Sequence, residues 1–171
     1  YMKNHDLGMD MKHVLSLQAP STLNSGFRNK QARAIKERKF RYFKERLLKN
    51  SGIKNVGTSM VLPGQDVNRR VINKVQRMDT GEVFEGKMER RIIDESFFPV
   101  YGTGFLAGKN FLPSPVDKPR QDVIINDKAR KLLGFKSASE AIGKMIHTYN
   151  PKLKIVGVVK DIHLKSLDES V

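Results

Sequence analysis

The chain of 171 residues contains no cysteine. That absence removes disulfide frameworks, thiolate zinc sites and cysteine nucleophiles together, while an oxidising compartment stays permitted. Long apolar runs are also missing. Even "IVGVV", Ile155 to Val159, stops at Lys154 and Lys160, far short of the roughly 18 to 20 apolar residues a helical membrane span needs. Acidic residues are scarce: 18 Asp and Glu face 32 Lys and Arg, for a formal charge of +14 and a pI near 10.1. Such an excess attracts something anionic, with nucleic acid, a lipid headgroup surface and an acidic partner protein as the candidates. No basic-then-apolar leader opens the sequence, which starts on Tyr1 and reads as a piece of something longer.

Catalytic motifs are lacking as well. The four histidines, His5, His13, His147 and His163, show none of the spacings that gather metal ligands. "AIGKM" contains a Gly-Lys pair, but a phosphate-binding loop would need glycine at Ala138 and a hydroxyl at Met145. Ser59, in "GTSMV", lacks the glycines of a nucleophile elbow. One pair invites closer attention. Asp161 and His163, in "KIVGVVKDIHL", are two apart in an expected strand and leave it on one face. They are either half of a catalytic or metal site or a polar strand edge, and no third ligand accompanies them.

What is present is 39% apolar residues, enough for one compact domain or two small subdomains sharing a core. "VLSLQAP", Val14 to Pro20, reads as a short strand closed by proline. From Ala32 to Asn50 the period becomes helical. Ala32, Ile35, Phe40, Phe43 and Leu47 fall within about 140° of arc, which predicts a core-facing stripe, and Ser51-Gly52 supplies the stop. The other side carries Arg33, Lys36, Arg38, Lys39, Arg41, Lys44, Arg46 and Lys49 against only Glu37 and Glu45, with Tyr42 the one aromatic left facing outward. Arg38, Arg41 and Lys44 are the candidate contacts to a polyanion or partner. Ile53 to Gly64 reads as a strand, and a long hairpin over about 67–94 turns through Asp79-Thr80-Gly81. A short helix in "DESFFPVYGTG" and a strand in "FLAGKNF" follow. "LPSPVDKPRQ" then reads as a link. Beyond it come a strand at "DVIIN", a helix ending at Gly134, a helix capped by Ser137 with Glu140 three positions on, and two strands at "MIHTY" and "KIVGVVKDIHL".

Five of these blocks, in order and at the usual intervals, resemble the MacB-type periplasmic core domain of bacterial ABC transporter permeases. They are the acidic residue before the Phe97-Phe98 pair, the "GKNF" strand end, the "IIND" strand and helix, "AIGK", and the closing "GVVKDIH". Lys109, Asp127 and Ile162 stand where that family commonly has Arg, Glu and Phe, and each keeps charge or apolar character.

The resemblance implies an α+β fold: a porter-like β-α-β-β-α-β layer over residues 1–112, then a smaller mixed α/β subdomain, sabre-like, over 113–171. It also implies a non-catalytic domain without cofactor or metal, held outside the inner membrane on the periplasmic side. Its partners would be transmembrane helices of the same permease, a separate cytoplasmic ATPase subunit reached indirectly, an accessory or substrate protein or peptide, and the anionic membrane surface. In that setting Asp161 and His163 fix the exit of the last strand by hydrogen bonding. The alternative function is a soluble basic module binding nucleic acid or another polyanion.

Overall fold

A computed structural model of the chain describes residues 9–18, 30–63, 71–113, 120–148 and 152–162, with the side chains of 30–33 and 36 left aside. Its elements are α1 (Lys30–Leu48), β1 (Val71–Arg77), β2 (Val83–Glu89), α2 (Phe97–Val100), β3 (Phe105–Gly108), β4 (Asp122–Asn126), α3 (Asp127–Leu132), α4 (Ala138–Ala141), β5 (Met145–His147) and β6 (Lys152–Val159). The fold is α+β.

The six strands form one mixed sheet in the order β2-β1-β5-β6-β3, with β4 also paired to β6. The β4–β6 pair is parallel, and the other pairs are antiparallel. The strand β6 is therefore central: its first half pairs with β5 and its second half with β3, while β4 runs beside it. Strands from both sides of position 112 share this layer. Neighbouring residues point to opposite faces, and both faces are covered. Ile125 and Val158 enter one core with Val75, Leu133, Phe135, Ala141, Ile146 and Ile155. Their neighbours Ile124 and Val159 join a second core around Phe97, Phe98 and Tyr101. That two-sided burial is why Val123 to Ile125 in β4 and Ile155 to Val159 in β6 run without a polar side chain, whereas Lys152 to Lys154 at the start of β6 alternate.

Local signals set the corners. The hairpin turns where expected: the Gly81 N–H donates to Arg77 O at 3.0 Å and Gly81 takes φ 76°, a conformation glycine adopts without strain. At α3, Asn126 caps by accepting from the Ala129 N–H at 3.1 Å. At α4, Ser137 accepts from the Glu140 N–H at 3.1 Å, and Glu140 reaches back to the Lys136 N–H at 2.7 Å, one residue beyond a regular capping box. Where β3 crosses β6, Gly108 pairs with Gly157. A Cβ at Gly157 would lie 2.7 Å from Lys109 O and 2.8 Å from the Phe105 ring, so only glycine allows the two backbones this close.

Two expected strands do not form. Residues 14–18 have no regular structure and Leu15 is 81% exposed; just upstream the Asp10 N–H donates to Tyr101 O at the end of α2, and Val14 packs on the second core. Residues 53–63 contribute only an isolated bridge between Ser59 and Ile93. There the Ser59 hydroxyl donates to Val61 O at 2.6 Å and accepts from the Val61 N–H at 3.3 Å, which curls the chain where a strand would have to run on. The proline-rich stretch lies largely outside the described residues, with 114–119 not described.

Candidate contact surface on the basic helix

The helix α1 stands apart from the sheet, and what fastens it is polar. Lys44 turns inward, its ammonium 2.8 Å from Asp94 Oδ2 and 3.1 Å from Ser96 Oγ, with both partners of the ion pair about four-fifths buried (18% and 19% exposed). Asp94 also accepts from the Thr58 hydroxyl at 2.9 Å and from the Ser96 N–H at 3.1 Å. One carboxylate thus joins α1, the 53–63 stretch and the turn before α2. Lys44 belongs to the inner face because it sits four residues after Phe40 and three before Leu47, both half-buried. The sequence expectation that grouped it with Arg38 and Arg41 as a free cation does not hold for this residue; the other two are exposed.

The apolar stripe is less covered than its periodicity predicts. Phe40 and Leu47 are half-buried, yet Ile35 is 51% exposed and Phe43 46%, and Tyr42, as expected, is 63% exposed. The outer surface of α1 consequently mixes cations with large apolar side chains.

Other charged clusters serve the fold. Arg77 is buried at the end of β1, its guanidinium 4.0 Å over the Phe135 ring and paired to Asp79 through Nε at 3.0 Å and Nη2 at 2.8 Å. Lys144 reaches the same carboxylate at 3.0 Å. The Arg77 hydrogen bonds, with help from Lys144, hold the Asp79 carboxyl well below the usual carboxylate range, outweighing desolvation. In α3, Asp127 receives Arg130 at 2.6 Å and Lys131 at 2.8 Å, and it too is lowered, mainly by the Arg130 bond. Arg130 also donates to Phe135 O. Arg91 is held by the carbonyls of Val61 and Leu62, both at 3.3 Å, and burial lowers its pKa.

Sequence reading missed the inward-facing Arg77 and Arg130. The only signal for either was an acid close by in sequence: Asp79 two residues after Arg77, and Asp127 three before Arg130.

Of the pair considered for chemistry, Asp161 accepts from the Lys128 N–H at 2.8 Å and so ties the exit of β6 to the start of α3. His163 lies outside the described residues, as does His5. His13 is exposed and His147 half-buried. Among the described residues no three His, Asp or Glu side chains are grouped to hold a metal ion, and no helix is long and apolar enough to cross a membrane.

The fold and this surface define an α+β domain with a mixed sheet and an outlying basic helix. No protein-family profile matches the chain, and no curated protein matches it. Among solved structures it is similar to the periplasmic region of MacB from Actinobacillus actinomycetemcomitans, with 21% identity and a TM-score of 0.47 over 71% of this chain and 50% of that one. It is also similar to a domain described as part of a permease protein from Porphyromonas gingivalis, with 15% identity and a TM-score of 0.44 over 68% of this chain and 48% of that one. The chain thus spans about half the length of the solved structures it matches.

Proposed function

We propose that the chain is an extracytoplasmic domain of a MacB/FtsX-like ABC permease, one that transmits movement and performs no chemical step. The observation that carries the reading is where the five family-like blocks fall. "DESFFPVYGTGFLAGKNF" supplies α2 and β3, "VIINDKARKLLGFKSASEAIGKMI" supplies β4, α3, α4 and β5, and "KIVGVVKD" supplies β6. Blocks separated along the sequence thereby become one structural unit around β6, as expected if they are the signature of one domain rather than chance matches.

This reading keeps, as a proposal, the division into a porter-like part, residues 1–112, and a sabre-like part, 113–171, whose strands share one sheet through the β3–β6 and β1–β5 pairs. Displacement of α1 passes through Lys44 and Asp94 to the turn before α2. From there it reaches the second core, which contains Val159 at the end of β6. The partners would be transmembrane helices of the same permease, an ATPase subunit on the cytoplasmic side, and a substrate or accessory protein outside. Arg38 and Arg41 remain exposed for the last of these.

The test uses the full gene product in cells. This chain has no cysteine of its own; with any cysteine elsewhere in the full product replaced, one introduced at exposed Glu37 can be labelled with a membrane-impermeant maleimide. Labelling of intact spheroplasts is expected. Labelling that requires lysis would place the domain in the cytoplasm and end the proposal.

A further inference from the structure

Along the outer side of α1, positions 35, 39, 42 and 46 follow the helical repeat and continue onto Lys49 just past its end. They read Ile35, Lys39, Tyr42, Arg46 and Lys49, all exposed, with Phe43 on one flank. Of the acidic residues of this helix, Glu37 lies well away from the stripe, and Glu45 borders it on the side opposite Phe43, one turn before Lys49. The cations are therefore interleaved with Ile35 and Tyr42 and flanked by Phe43, three large side chains each left about half or more exposed. The sequence pattern had assigned two of these, Ile35 and Phe43, to the core.

We infer that this stripe docks on an anionic lipid headgroup surface, α1 lying in the plane with Ile35, Tyr42 and Phe43 entering between headgroups while Lys39, Arg46 and Lys49 pair with their charge. Three kinds of occupant compete, and the side chains separate them. A single nucleic-acid strand stacks on aromatic faces. Ile35 offers none, and Tyr42 and Phe43, adjacent in the helix, diverge by about 100° and cannot align along one strand. A second copy of the chain brings a second charge of +14 and is repelled. A plane of headgroups accepts apolar groups anywhere across its width and lets Lys and Arg stems extend along them to the charged layer. The inference does not depend on the permease reading.

The test exploits the absence of tryptophan from the chain. Tyr42→Trp makes a sole reporter at an exposed site, with circular dichroism as the check that the fold is kept. With phosphatidylcholine vesicles containing phosphatidylglycerol, its emission shifts to the blue and the protein sediments with the lipid. Phosphatidylcholine alone gives neither effect, and added salt reverses both. Lys39→Gln and Arg46→Gln each lower partitioning about fivefold, whereas Lys87→Gln, on exposed β2, changes it little. Four results overturn the inference: no partitioning onto the anionic vesicles; equal partitioning onto neutral ones; partitioning without a spectral shift, which puts another face on the lipid; or a shift that grows with protein concentration when lipid is absent, which makes a second copy the partner.

Discussion

Removing the Lys44 ammonium should loosen α1 before it unfolds anything else. Two unit charges 2.8 Å apart attract by about 6 kcal/mol at an effective dielectric constant of about 20. Most of that is offset by withdrawing both groups from water and fixing the lysine side chain. Fully exposed pairs retain about 0–1 kcal/mol, and breaking a fully buried pair costs about 3–5 kcal/mol. With both side chains about four-fifths buried, Lys44→Met, which keeps the apolar stem, should cost about 1–2 kcal/mol. Asp94→Ala should cost more, about 3 kcal/mol, since it also strands the Thr58 hydroxyl and the Ser96 N–H. Urea denaturation of both single variants and the double variant gives the coupling, expected at about 1–2 kcal/mol. Hydrogen exchange localises it: amides of α1 should lose protection in Lys44→Met while those of β6 keep theirs. A coupling indistinguishable from zero, or equal loss across α1 and β6, would refute the assignment of Lys44 and Asp94 as the fastening point.

Acid should weaken the fold through Asp79 and Asp127. Both have folded-state pKa values below their unfolded ones, so the stability they contribute is fully present above the ordinary carboxylate value of about 4 and is lost progressively as pH falls below it. Melting temperature followed from neutral pH downward should therefore drop below that point, and less steeply in Asp79→Asn; an unchanged slope would remove Asp79 from the account. At the β3–β6 crossing, Gly157→Ala should cost about 2–4 kcal/mol or prevent folding, because the new methyl group meets the Lys109 carbonyl and the Phe105 ring. Gly104→Ala, with nothing within 4 Å of the added carbon, is the control, and equal loss in both variants would count against close approach as the cause.

The half of the chain that folds through local signals was the half legible in advance. Asn126, Gly134, Ser137 and Gly143 mark where elements start and stop within a few residues of one another, and the observed β4-α3-α4-β5-β6 order follows them. The hairpin at Asp79 was readable for the same reason. The expected strands at 14–20 and 53–64 do not form over their described parts, 14–18 and 53–63, because a strand is defined by its partner, and no partner is written into the stretch itself. Ser59 bonding to Val61 is a two-residue event that a hydrophobic pattern does not register. The apolar arc of α1 was read correctly as an arc, but periodicity reports which side is apolar and not whether anything lies against it; hence the exposure of Ile35 and Phe43. Lys44 was the reverse case. Its position between Phe40 and Leu47 placed it on the inner side, and its charge obscured that.

The central place of β6 has a consequence for the order in which the fold can be completed. Among the described strands it is the last to leave the ribosome, yet β3, β4 and β5 all hydrogen-bond to it. Until Lys152 to Val159 have been made, the β1–β2 hairpin can close and β5 can add its short pairing with β1, but β3 and β4 wait without a strand neighbour, their apolar residues uncovered. The keystone is laid last, so the interval before it arrives is when a newborn chain is most open to mispairing and to the helpers that prevent it.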